Sequence, residues 1–345
     1  VAFELACKNG EVLNRAQERE KAAQEAAEAA KLKTVRQYAD GVFMPTKEAT
    51  FSENARSSYR MFLDKHIFPV LGDVLLTVVT PAMLQKLLVD FQRAGYAHAT
   101  AVKLYNILNG LFEMAFLDDS IPMNPMLKVK RPAPRKGEQP KEESDKAYTV
   151  KELGYILSCA AQEPLQWQTY ISLAADTGLR RGECCGLQWS DIDFKAGTVT
   201  VRRNLQYTVA AGIYATSPKN GKVRVVDVGP DVLALLKHLR EEQAQSCISK
   251  WCFTQEGTAE PMHPQSPTRY FQKFGKRYNV KDFHPHKLRH SSASIAIVHG
   301  ADVVSVSERL GHSDTAVTLR MYAHANEESI RRAGQIVRDV LKQSV

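Results

Sequence analysis

Residues 127 to 147, LKVKRPAPRKGEQPKEESDKA, constrain this chain more than any other stretch. Three prolines fall within it, and no large apolar residue follows Val129. Such a segment has nothing to bury and interrupts both helix and sheet, so it reads as an extended linker. The 345 residues therefore divide into a part before it and a part after it, and that length already exceeds what one core usually organises. Its first half carries Lys128, Lys130, Arg131, Arg135 and Lys136 with no acid among them. Those cations read either as a solvated linker or as a strap lying along a phosphate backbone.

Upstream, residues 1–33 contain an Ala-, Glu- and Lys-rich run from position 12 without a large apolar stripe. Good helix formers with no face to bury predict a solvated lead-in helix. From 34 to 126 the pattern is that of a small all-helical domain. Thr80-Pro81 supplies an N-cap and a first-turn proline, and Leu84, Leu87, Leu88 and Phe91 then repeat on one face. A further helix carries Leu104, Leu108, Leu111 and Ala115 and stops at DDSIPMNP.

The second domain, 148–326, opens with a capping box formed by Thr149 and Glu152. Helices continue to GLQWSD, IDF-KAG-TVTV reads as a hairpin, and 223–228 reads as a third strand after the polar turn SPKNGK. Helices then run to the C-terminus. The last, within 327–345, places Ile330, Ala333, Val337, Val340 and Leu341 on one face. No internal repeat is present.

Composition narrows the function classes. No window approaches 18 consecutive apolar residues, which argues against a membrane helix. Six cysteines show no CxxC spacing and read as reduced thiols of a cytoplasmic protein. A net charge of +8 favours a polyanionic partner.

Chemistry concentrates in HPHKLRHSSAS, residues 284 to 294. His286 and His290 would stand one helical turn apart, an arrangement open to a metal site or to a phosphate clamp. The hydrolytic zinc motif needs Glu directly after its first histidine, whereas Lys287 stands there and would repel a cation. Other polar sites favour phosphate: Arg180 in DTGLRRGE, Lys219 at the tip of a predicted hairpin, His312 after the helix end RLG, and Tyr322 in TLRMYAH.

In these motifs the chain resembles the tyrosine recombinase (phage integrase) family over residues 34 to 345. The matching residues are TGLR ending at Arg180, Lys219, His286 with Arg289, Leu310-Gly311-His312, and Tyr322. Lys222, three residues beyond Lys219, is a rival for the lysine. The resemblance implies an all-α core-DNA-binding domain followed by a mainly α catalytic domain with a small antiparallel β-sheet. It also implies catalysis by Arg180, Lys219, His286, Arg289, His312 and the nucleophile Tyr322, with no metal or other cofactor. Two guanidiniums can fork onto the non-bridging oxygens of a phosphodiester as lysines cannot. Glu183, Arg181 and His290 read as supporting residues, and Lys287 as a departure able to alter pairing around His286.

The implied partners are double-stranded DNA at attachment or transposon-end sites and three further copies in a tetramer exchanging C-terminal helices. An excisionase or host DNA-bending protein is an expected accessory, and the expected setting is the bacterial cytoplasm and nucleoid. The two domains would close around duplex DNA with the basic linker crossing its backbone. The lead-in helix resembles the exit from an arm-binding module, which favours a mobile-element integrase of the phage or conjugative-transposon type. Three other readings stand beside this one: a type IB topoisomerase-like nicking-closing enzyme, a non-catalytic DNA-binding protein of the same fold, and a metal-dependent hydrolase built on the histidines.

Overall fold

Apolar residues before and after the proline-rich segment collect into separate cores, and the chain splits into two compact units, Val1–Glu138 and Gln139–Val345. The computed structural model describes residues 32–135, 147–218 and 221–311.

In the first unit Thr34 caps Val35–Tyr38 with a capping box to Gln37, and the chain passes through a wide turn at Ala39–Phe43 into Met44–Glu48. Helix α1 (Glu53–Phe62) starts on the Ser52 cap. Helix α2 (Pro81–Arg93) starts where Thr80 Oγ1 accepts the Met83 N–H at 3.3 Å, and it buries Leu84, Leu87, Leu88 and Phe91. Helix α3 (His98–Leu117) buries Leu104, Leu108, Leu111 and Ala115. The spacing of those residues predicts both buried faces. A predicted linker beginning at 127 meets a different arrangement. Met126 and Val129 join the helical core. Gln85 Oε1 accepts the Lys130 N–H at 2.8 Å, and Gln92 Nε2 donates to the Ala133 carbonyl at 2.9 Å. After a 3-10 turn at Pro125–Lys128, residues 129–135 thus run along α2, because Val129 and Pro132 have an apolar surface to cover and Gln85 and Gln92 satisfy the backbone.

The second unit begins with α4 (Val150–Ala160), where Thr149 and Glu152 form the capping box. Helix α5 (Leu165–Thr177) packs against α4, α7 (Pro230–Ser246) and α9 (Pro285–Val298). The short α6 (Arg181–Cys185) follows α5 after a break at Gly178. Strands β1 (Ile192–Asp193), β2 (Thr198–Val201) and β5 (Arg224–Asp227) form an antiparallel sheet in that order, with Val199 opposite Val226. The sequence pattern predicts these three strands and misses the hairpin between them, β3 (Asn204–Thr208) and β4 (Gly212–Thr216), which pairs on itself. One expectation is corrected by it. The SPKNGK turn is not a hairpin tip, because the strands on either side of it belong to different sheets. Nor do helices run unbroken after β5. Between α7 and α8 (Ser266–Arg277) lies an irregular stretch held by isolated bridges such as Gln188 to Trp251. Helix α10 (Val303–Leu310) closes the described fold at Gly311.

Candidate active site

Three local breaks in helix build the site. Helix α5 ends on Gly178, whose φ of +63° suits glycine, and a Cβ there would lie 2.6 Å from Leu310 Cδ2. The turn presents Arg180 at the N-cap position of α6. Helix α9 starts at His284-Pro285: His284 Nδ1 accepts the Lys287 N–H at 3.1 Å, and proline fills the first helical position. Helix α10 stops at Gly311, again left-handed at φ +66°, leaving its last carbonyls without intrahelical partners.

Guanidiniums occupy those carbonyls. Arg224 Nε donates to the Arg309 carbonyl at 2.9 Å, Arg289 to the Leu310 carbonyl at 2.6 Å, and Arg180 to the Gly311 carbonyl at 2.6 Å. Arg289 also donates to the Gly178 carbonyl at 2.7 Å, so one side chain ties the two glycine breaks together. It is 1% exposed, the largest of the fully buried side chains among the described residues. Burial, with the Arg180 charge beside it, pushes its pKa down to about 9, and it remains cationic at neutral pH.

Glu183, on α6, is the counter-charge. Its carboxylate takes two bonds from Arg224, at 3.0 and 2.6 Å, one from the Arg180 guanidinium at 3.0 Å and one from the Arg180 N–H at 2.9 Å. Burial alone would raise its pKa; the Arg224 and Arg180 bonds and charges outweigh that and hold it below the usual carboxylate range. Cys184 and Cys185 lie fully buried behind it, and burial pushes the Cys185 thiol up to about 12, which keeps it an unreactive packing group.

The structure brings Arg180 and Arg289 together and puts His286, exposed, on the same helix as Arg289. The His286 and His290 rings meet edge-on, centroids 4.3 Å apart. Lys287 is turned inward: it is 7% exposed, and its ammonium lies 4.4 Å over the Tyr148 ring rather than beside the exposed His286. Lys219, His312 and Tyr322 lie outside the described residues, as do Lys136 and the final helix. A concavity of about 240 Å³ is lined by Arg180, Pro218, Lys222, Arg224, Glu308 and Gly311. Lys128, Lys130, Arg131 and Arg135 are exposed on the first unit, with Arg135 donating to the Gln92 carbonyl at 3.2 Å. Among the described residues no group of three or more His, Cys, Asp or Glu is placed to hold a metal ion.

Arg224 is the residue that motif reasoning missed. Its signal was a lone arginine in an apolar strand. Val223 and Val225 are exposed on one face, so strand alternation turns Arg224 to the other, beside buried Val226.

A buried carboxylate holds two of the three guanidiniums that gather at one helix end, a concentration of forked donors suited to an anion. The phage integrase family model matches residues 147–329, and this chain belongs to that family. Its enzyme class is the tyrosine site-specific recombinases. Among relatives, the ICEBs1 integrase of Bacillus subtilis is 24% identical over 296 residues, 82% of this chain and 77% of its own. The Tn1549 transposon integrase, solved with a circular intermediate DNA, superposes with a TM-score of 0.72 over 88% of this chain and 99% of that one, at 20% identity. The lambda integrase, solved as a tetramer bound to a Holliday junction, gives 0.66 over 91% of this chain and 87% of that one, at 19% identity. At those identities the likeness is one of fold: helical, with small antiparallel sheets.

Proposed function

We propose that this recombinase integrates or excises a mobile DNA element through a covalent protein–DNA intermediate. The observation that carries the reading is the convergence of Arg180 and Arg289 on the Leu310–Gly311 carbonyls, directly before His312 in the chain. Each guanidinium keeps donors beyond those used on the carbonyls, and forked donors match the oxygens of a phosphate in flight. Stabilisation of that charge is commonly the largest catalytic contribution.

In the step we infer, the Tyr322 oxygen attacks phosphorus and the bond to the 5′ oxygen breaks. The tyrosine proton passes to a neighbouring base, with His286 and His312 as the candidates. Lys219 protonates the departing 5′ oxygen. The phosphodiester energy is retained in the 3′-phosphotyrosine, so a 5′-hydroxyl from another strand reverses the step without a high-energy cofactor, by way of a Holliday junction. The substrates are duplex attachment or transposon-end sites, and the working assembly is a homotetramer in which the segment 327–345 docks on a neighbour. An open groove of about 820 Å³ in the second unit, with Leu153, Ala293, Ala296, Val306 and Leu310 in its wall, supports that docking. The 34–126 domain, with the cations from Lys128 to Lys136, adds DNA contacts of its own.

A nicked suicide substrate tests the chemistry. Wild type is expected to form a covalent adduct in EDTA, and Tyr322→Phe none. Adducts surviving in Tyr322→Phe, or a reaction abolished by EDTA, would overturn it. Deleting 327–345 is expected to dissolve the DNA-bound assembly, and an unchanged assembly removes the docking role.

A further inference from the structure

Lys287 is a cation inside the catalytic motif that does not face the catalytic cluster. We infer that Lys287 is a positioning residue, clasped with Tyr148, that fixes the register of the helix presenting His286 and Arg289; this rests on the recombinase reading above.

The clasp is made of buried parts. Tyr148 is 5% exposed and Lys287 7%, and the ammonium stands 4.4 Å over the ring. Out of water, such a cation–π contact strengthens, because the ring face replaces hydration that the ammonium has lost. Backbone bonds close the circuit. The Tyr148 N–H donates to Ser291 Oγ at 2.7 Å, and Ser291 Oγ donates to the Lys287 carbonyl at 2.8 Å. The Tyr148 hydroxyl donates to the Lys281 carbonyl at 2.9 Å, just ahead of α9. Tyr148 therefore grips both the approach to α9 and its first turns.

Charge is balanced locally. The Glu152 carboxylate, already held by the Thr149 N–H and hydroxyl, feels the Lys287 charge. Asp282 is the other acid whose field reaches Tyr148. The arrangement does not need the lysine for burial alone, since an apolar side chain of similar length would fill the same space. A buried cation held by an aromatic face costs desolvation, and what it adds is direction. His286 precedes Lys287 and Arg289 follows it by two, so a rotation of α9 that released Lys287 would turn both together.

The test uses the full-length protein, a nicked suicide duplex and single-turnover adduct formation, with DNA affinity measured separately. Lys287→Met is expected to slow adduct formation about tenfold while leaving DNA affinity and thermal midpoint at or above wild type. Lys287→Arg is expected to restore most of the rate. Tyr148→Leu should match Lys287→Met, and the double variant should be no slower than either single one, because both remove the same contact. A wild-type rate in Lys287→Met, or losses that multiply in the double variant, would overturn the role. Should the apolar variants fail to fold, Lys287→Arg, which keeps the cation over the ring, must cleave near the wild-type rate; a tenfold loss in it sinks the inference. Absence of any adduct in wild type would instead count against the recombinase reading.

Discussion

The Glu183 carboxylate, fully shielded from solvent, fixes both Arg180 and Arg224. Replacing it with glutamine leaves two nearly buried guanidiniums without their counter-charge, a change that typically costs about 3 kcal/mol or more. Glu183→Gln is therefore expected to lower the thermal midpoint by several degrees and to slow adduct formation by misplacing Arg180. The pH dependence has a definite sign. Because the folded-state pKa lies below the unfolded one, the ion cluster contributes its full stability above the ordinary carboxylate range and loses it as pH falls through the depressed value. The gap in midpoint between wild type and Glu183→Gln should stay constant from neutral pH to about 5 and close below about 4. A gap that instead closed between pH 7 and 5 would place the titration on another group. Arg180 and Arg289 were readable in sequence because their motifs are local. Arg224 was not, because its partner Glu183 lies 41 residues away and its carbonyl acceptor 85 residues away.

At the scale of elements, what the sequence conveyed depended on burial contrast. Helices α2 and α3 and the strands β1, β2 and β5 each carry apolar residues at their own period and were legible. The β3–β4 hairpin was not. The residues of β4 are all partly or fully exposed, so no alternation marks it, and its turn has Gly212 at φ +66° after Val-Ala-Ala rather than an Asn-Gly signature. This hairpin nevertheless packs on the site, because α6 lies against β3. Gly182, inside α6, is where they touch: a Cβ there would run into the Asn204 side chain and the Leu205 carbonyl. Helix propensity alone favours alanine over glycine by about 1 kcal/mol. Gly182→Ala is expected to do the opposite and destabilise by about 1–3 kcal/mol, since a backbone carbonyl cannot step aside as a side chain can. Calorimetric or chemical denaturation decides it, and a stabilised Gly182→Ala would mean that β3 does not approach α6 so closely.

Across the whole molecule, an excess of eight positive charges is a weak statement until it is known where the charges stand. Between Met126 and Pro132 every third residue is buried: Met126, Val129 and Pro132 face inward, while Lys128, Lys130 and Arg131 are exposed. Bonds to Gln85 and Gln92 hold that spacing against α2, so the three cations form a fixed row and not the free tether that prolines alone suggest. A fixed row loses little side-chain and backbone freedom when it meets phosphates. If the row lies along a DNA backbone, each neutralised phosphate contributes about 0.9 to the slope of log affinity against log salt. Replacing Lys128, Lys130 and Arg131 with glutamine should then flatten that slope by about 3 and weaken specific and non-specific duplexes alike, because phosphate contacts carry no sequence information. Thermal stability should be unaffected, the three side chains being exposed. An unchanged salt slope would mean that these cations face solvent in the complex, and the electrostatic grip would then have to come from the positive charge elsewhere in the chain.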